Sequence, residues 1–122
     1  MKKILAIDDE PDLTFFIKKN LEMAGDYEVE TACDGEEGLL KILSYEPDLV
    51  ILDLRLPKKS GLEVLKDMER LGSEKRKPPV IILSALKDTN TIMDAEKLGA
   101  KDYIIKPYRI EDLLELVKKN IV

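Results

Sequence analysis

Five side chains, far apart in a 122-residue chain, have the types needed for one reaction: Asp8, Asp9, Asp53, Ser84 and Lys106. Each follows or closes a short apolar run. Three aspartates brought together would repel one another and raise each other's pKa unless a cation intervened. Carboxylate oxygens, few in number and leaving room for water and phosphate, suit Mg²⁺ better than a softer metal. With a lysine added, the chemistry is phosphoryl transfer to a carboxylate. Asp53 attacks in line, Mg²⁺ and Lys106 neutralise the phosphoryl oxygens, and Ser84 donates a hydrogen bond to one of them. Taken singly, each residue has an ordinary reading. An aspartate after a strand is commonly a turn former or helix cap, Ser84 a cap, and Lys106 a solvated loop lysine. The argument for function rests on their joint arrangement.

The elements that must position them alternate. Lys3–Ile7, Leu49–Leu52 and Val80–Leu83 are brief apolar runs, as expected of strands buried on both faces of a parallel sheet. Tyr27–Thr31 alternates apolar with acidic residues and Asp102–Ile105 is short, so both read as strands nearer the sheet edges. Helical patterns fill the gaps at Pro11–Ala24, Glu36–Ser44, Gly61–Leu71, Asp88–Leu98 and Ile110–Asn120. Pro11 suits a first helical turn, Gly99 a helix stop, and Ser60 with Glu63 a capping box. Five strand–helix repeats imply right-handed crossovers and a parallel sheet with helices on both faces. In such folds the site lies outside the carboxyl ends of the strands. Asp8 and Asp9 end the first strand, Asp53 the third, Ser84 the fourth, and Lys106 with Pro107 follows the fifth.

Composition narrows the function classes. The 20 Lys+Arg against 25 Asp+Glu give a net charge of -5 without a basic stripe, so direct nucleic-acid binding is not expected. Cys33 is the only cysteine and no histidine occurs, which removes an internal disulfide and leaves serine- or cysteine-protease chemistry without a base. Cys33 is expected away from the rim that carries the aspartates. The apolar stretch in MKKILAIDDE is too short for a signal peptide or membrane span, and a cytoplasmic protein is expected.

Over essentially its full length the sequence resembles a response-regulator receiver domain of two-component signal transduction. The resemblance lies in AIDDEPD at Ala6–Asp12, DLVILDLRLPKKSGLEVL at Asp48–Leu65, VIILSA at Val80–Ala85 and GAKDYIIKPY at Gly99–Tyr108. It implies a single (βα)5 flavodoxin-like domain with strand order 2-1-3-4-5 over residues 1–122, with no output domain. It also implies Asp53 as phosphoacceptor, and Mg²⁺ held by Asp8, Asp9, Asp53 and the Arg55 backbone carbonyl. Ser84 becomes the phosphate-sensing hydroxyl, Lys106 the phosphate-contacting lysine, and Tyr103 the rotating aromatic. A cis Lys106–Pro107 bond is expected, and the donor is a sensor histidine kinase or phosphotransfer protein. On phosphorylation Ser84 is expected to move inward and admit Tyr103, biasing the fourth helix, fifth strand and fifth helix toward a downstream partner.

The chain departs from the family pattern at Ser60, where an acid is common, and at Leu116, where one branch carries a dimer-bridging arginine. A monomer or weak dimer is therefore expected. In the first helix, Leu13, Ile17, Leu21 and Ala24 form the stripe expected to face the sheet. Phe16 lies at the edge of that stripe and Phe15 nearly opposite, which marks both as kinase-docking candidates. The rival reading is a small Mg²⁺-dependent aspartate-nucleophile phosphatase. That class wants a second aspartate two residues after its strand-one nucleophile, where this chain has Glu10. A flavin carrier wants a Ser/Thr/Gly-rich phosphate loop where this chain has DDEPD.

Overall fold

The structure, a computed structural model, describes residues 1–71 and 77–121. Its elements are β1 (Lys2–Ile7), α1 (Pro11–Ala24), β2 (Tyr27–Ala32), α2 (Gly35–Tyr45), β3 (Leu49–Leu52), α3 (Gly61–Glu69), β4 (Val80–Ser84), α4 (Thr89–Lys97), β5 (Asp102–Ile105) and α5 (Ile110–Asn120). All strand pairs are parallel, in the order β2-β1-β3-β4-β5. β1 and β3 lie side by side with Ile7 opposite Leu52, so Asp8 and Asp53 leave the sheet at the same level.

Strand alternation divides the apolar residues between two layers. Ile4 and Ala6, with Leu49, Ile51, Ile81 and Leu83, meet Ile17 and Leu21 of α1 and Leu113 and Val117 of α5. Leu5 and Ile7, with Val50, Leu52 and Ile82, meet Ile42 of α2, Val64, Leu65 and Met68 of α3, and Ala95 of α4. Strands covered on both faces must be apolar at every position, which is why β3 reads LVIL and is buried throughout. Burying one such Leu or Ile fully is worth about 1.5–3 kcal/mol relative to leaving it exposed.

Helix ends follow their caps. The Asp34 side chain accepts from the Glu37 N–H and starts α2 at Gly35 rather than Glu36. Asp88 accepts from the Thr91 N–H, which makes it the cap of α4 rather than its first residue. Ser60 and Glu63 form the expected reciprocal capping box on α3. Gly99 takes φ 102, the left-handed conformation that ends α4.

One expectation on α1 needs correction. Ala24 is exposed, because it lies in the helix's last turn, beside Tyr27 and Leu114, with Leu21 the last residue of the stripe to be buried. Thr14 is buried instead, its hydroxyl donating to the Pro11 carbonyl so that its polar atom is satisfied within the helix. Among the described residues, no helix is long and apolar enough to cross a membrane.

Candidate functional site

The carboxyl edge of the sheet is held level by backbone bonds. The Asp8 N–H donates to the Ala32 carbonyl at 3.0 Å, the Asp53 N–H to Ile7 at 3.0 Å, and the Lys106 N–H to Ser84 at 2.9 Å. These bonds bring Asp8, Asp53, Ser84 and Lys106 to one rim from four neighbouring strands. The chain after Asp53 must turn back tightly to start α3. The Gly61 N–H donates to the Leu54 carbonyl at 2.9 Å, and a Cβ at Gly61 would stand 2.4 Å from the Asp53 carbonyl oxygen. Only glycine lets the helix approach the acceptor strand this closely. Lys58 in the same turn takes φ 68, which is uncommon for a residue with a side chain.

Lys106 is the centre of the charge arrangement. Its Nζ donates to Asp8 Oδ2 at 2.8 Å and to Asp53 Oδ2 at 3.3 Å, and stands 3.8 Å from Glu10 Oε1. Asp8 and Asp53 are almost wholly buried, whereas Glu10 is largely exposed. Burial pushes the Asp8 carboxyl above the usual aspartate range, and the Asp53 charge adds to that rise. The Lys106 hydrogen bond and the Glu10 N–H oppose it without cancelling it. Burial also works against the Lys106 ammonium, but the Asp8 hydrogen bond and the Asp53 and Asp8 charges outweigh it and hold its pKa above the ordinary lysine value. One ammonium thus faces more negative charge than it balances. Carboxylate oxygens of Asp8, Asp9 and Glu10 lie within 4.8 Å of one another. That hard, oxygen-only, acid-rich set fits a small divalent cation.

Arg55 donates its backbone N–H to Asp53 Oδ1 at 3.3 Å, and its side chain is exposed. Ser84 is fully buried, and its hydroxyl oxygen accepts from the Leu86 N–H at 3.3 Å. The Tyr103 hydroxyl donates to the Leu86 carbonyl and lies beside Ser84. Burial raises its pKa, with the Asp88 and Asp53 charges adding and the Ser84 contact opposing. Leu86 therefore joins Ser84 to Tyr103, a link that nothing in its apolar side chain announces because both bonds use its backbone. The Lys106–Pro107 peptide bond is cis.

Phe15 and Phe16 are both exposed on α1, at 60% and 48%, and they do not share one environment. Phe16 lines a groove with Glu10, Leu13, Lys106, Pro107 and Tyr108, whereas the Phe15 ring faces the Lys19 ammonium at 5.4 Å. Leu116 packs, partly buried, against the α1–α5 core.

Cys33 requires a correction. In a parallel sheet every strand ends at the same edge, so the residue after β2 stands at the rim beside the aspartates rather than away from it. Its thiol is exposed, and its pKa is raised by contact with Glu37 and by the Asp34 charge. The loop it begins is tied to the acceptor loop. The Gly35 N–H donates to the Pro57 carbonyl at 3.3 Å, and Asp34 pairs with Lys58 at 3.6 Å.

Known proteins share this arrangement of elements. The family model described as the response regulator receiver domain matches residues 4–118. Response regulator ArlR of Staphylococcus aureus is 40% identical over 118 residues, covering 97% of this chain and 52% of its own length. The chain thus spans about half the length of the curated relatives it matches. Among solved structures, the Francisella response regulator 1452 receiver domain superposes with a TM-score of 0.89 at 31% identity, covering 99% of this chain and 97% of that one. A CheY-like receiver domain protein of Methanospirillum hungatei JF-1 gives 0.90 at 32% identity, covering 99% and 94%. These matches do not favour the phosphatase reading. With the model match running from β1 into α5 and the acids and lysine meeting at one rim, the chain belongs to the response-regulator receiver family.

Proposed function

We propose that Asp53 accepts a phosphoryl group from a sensor histidine kinase or phosphotransfer protein and that the phosphorylated domain alters its surface to control a downstream partner. The observation that carries this reading is the Lys106 ammonium placed between Asp8 and Asp53. A carboxylate nucleophile needs its own charge masked while a dianionic group approaches, and a lysine already on the nucleophile's oxygen can pass to the phosphoryl oxygen as the bond forms.

Asp8, Asp9, Asp53 and the Arg55 carbonyl would hold Mg²⁺, whose charge, when bound, neutralises the phosphoryl oxygens. Asp53 supplies the attacking oxygen. The Arg55 N–H on its other oxygen fixes the carboxylate's orientation. Ser84 meets the new phosphoryl oxygen with its hydroxyl, leaving the Leu86 N–H. Because Leu86 also receives the Tyr103 hydroxyl, that exchange reaches β5 and biases the α4–β5–α5 surface. The domain acts catalytically only on itself, through transfer and slow hydrolysis.

Kinase docking falls on α1, with Phe16 in the groove beside Lys106 and Phe15 farther out. A free, exposed cysteine fits a reducing cytoplasm. A small phosphodonor with Mg²⁺ should label one aspartate, and Asp53→Asn should abolish the label. Normal labelling of that variant would refute the assignment. Phe15→Ala and Phe16→Ala should slow transfer from the cognate kinase while sparing the small donor, and equal slowing with both donors would point to damaged folding.

A further inference from the structure

The third carboxylate on Lys106 supplies neither the attacking oxygen nor one of the ligands assigned to Mg²⁺. Glu10 stands 3.8 Å from the ammonium, yet its side chain is 67% exposed where Asp8 and Asp53 are buried. It belongs to the lining of the groove between α1 and the Lys106–Tyr108 segment, which also includes Phe16 and Pro107. Its position is fixed by the backbone, since its N–H donates to Asp8 Oδ1 at 3.0 Å and its carbonyl accepts the Leu13 and Thr14 N–H groups that open α1. The side chain is thus a negative charge mounted on a rigid base, sharing the Lys106 ammonium with the nucleophile and far more open to solvent than it.

We propose that Glu10 selects the phosphodonor by the charge of its leaving group, favouring a phosphorylated imidazole over an acyl phosphate. This rests on Asp53 being the acceptor. In either transfer an Asp53 oxygen forms the new O–P bond while the donor's bond to phosphorus breaks and its electron pair leaves with the departing atom. From a protonated phosphoimidazole, the N–P pair goes to the ring nitrogen, the other nitrogen keeps its proton, and the ring departs neutral. From acetyl phosphate, the O–P pair goes to oxygen and acetate departs as an anion. The transition state of the second reaction carries one more negative charge, on the leaving group, which must point away from Asp53 toward solvent. Glu10 is the carboxylate placed to repel it. Arg55 sets an opposite charge on the same rim, so only variants at position 10 isolate the share owed to Glu10.

The test uses the full chain at saturating Mg²⁺ and measures initial rates of Asp53 labelling by monophosphoimidazole and by acetyl phosphate. In Glu10→Gln, the acetyl phosphate rate should rise about three- to tenfold relative to the phosphoimidazole rate, as expected for one unit charge interacting through a few ångströms of water. Glu10→Lys should shift the ratio further in the same direction. High salt should pull the wild-type and variant ratios together, because the charge acts through exposed solvent. An unchanged ratio, or equal change with both donors as expected if Glu10 merely steadies Lys106, overturns the proposal while leaving the acceptor reading intact. Labelling of the wild type by neither donor overturns both.

Discussion

The two edges of the sheet each gather acids, a lysine and a tyrosine, and they use them differently. At the amino edge the Lys3 N–H donates to Asp48 Oδ2 at 2.8 Å, and the Asp48 N–H returns a bond to the Lys3 carbonyl at 2.7 Å. Lys3 Nζ reaches the Tyr45 carbonyl and lies over its ring, while the Tyr45 hydroxyl meets both the Glu28 carbonyl and carboxylate. The bonds there run largely to backbone, so the cluster joins β1, β2, α2 and the start of β3. At the carboxyl edge one lysine faces Asp8, Asp53 and Glu10, two of them buried. A polar cluster that closes on itself is a joint. One that gathers buried carboxylates around a single ammonium suits the chemistry proposed for Asp53.

Substitutions should separate the two edges, and the largest effect belongs to Lys106→Met. It strands Asp8 and Asp53 without a cation and should cost roughly 3 kcal/mol in metal-free protein, as breaking a buried ion pair does. Mg²⁺ should restore much of that loss in urea unfolding. An equal loss with and without the ion would make Lys106 a packing residue and blur the contrast.

At the amino edge, Tyr45→Phe should cost about 1 kcal/mol through its lost hydrogen bonds while leaving Asp53 labelling unchanged. Burial, with the Glu28 hydrogen bond, raises the Tyr45 pKa above its ordinary 10.0. The protonated form is therefore the one the fold favours. Its contribution is complete below about pH 10 and is lost as pH climbs through the raised value. Urea midpoints of the wild type should accordingly fall more steeply with alkali than those of Tyr45→Phe.

Asp53→Asn should move the other way, stabilising metal-free protein by up to about 1 kcal/mol, because it relieves Asp8 of a like charge and leaves the Lys106–Asp8 bond in place. A destabilised variant would mean that the carboxyl edge is balanced after all. The smallest effect, about 0.5–1 kcal/mol lost on Ser60→Ala, tests whether location alone decides. Its capping box sits near the site yet is satisfied within itself, so folding stability should fall without any change in labelling.

The sequence was most readable where a residue's neighbours along the chain decide its role. Buried strands announced themselves as unbroken apolar runs, and the residues closing them named the rim. Ser60 and Glu63 declared a cap by spacing alone. Contacts between loops were not readable. Nothing in DGEEG foretells that the Gly35 N–H bonds Pro57 or that Asp34 pairs with Lys58, because those partners meet only after two crossovers. Glu10 was visible as an acid after two others, but its reach to Lys106 depends on the turn after β5. Ala24 was misplaced because a helical wheel gives direction and not how far the core extends along the axis.

The tie between the β2–α2 loop and the acceptor loop makes Cys33 a ready attachment point for a reporter. It is the chain's sole thiol and it is exposed. It begins the loop whose Gly35 and Asp34 hold Pro57 and Lys58, four and five residues past Asp53. A fluorophore coupled there would stand at the β2 end of the rim and sense events at the acceptor without competition from a second label. The raised thiol pKa sets the handling: coupling by maleimide should run slowly at neutral pH and faster in mild alkali, where more thiolate is available.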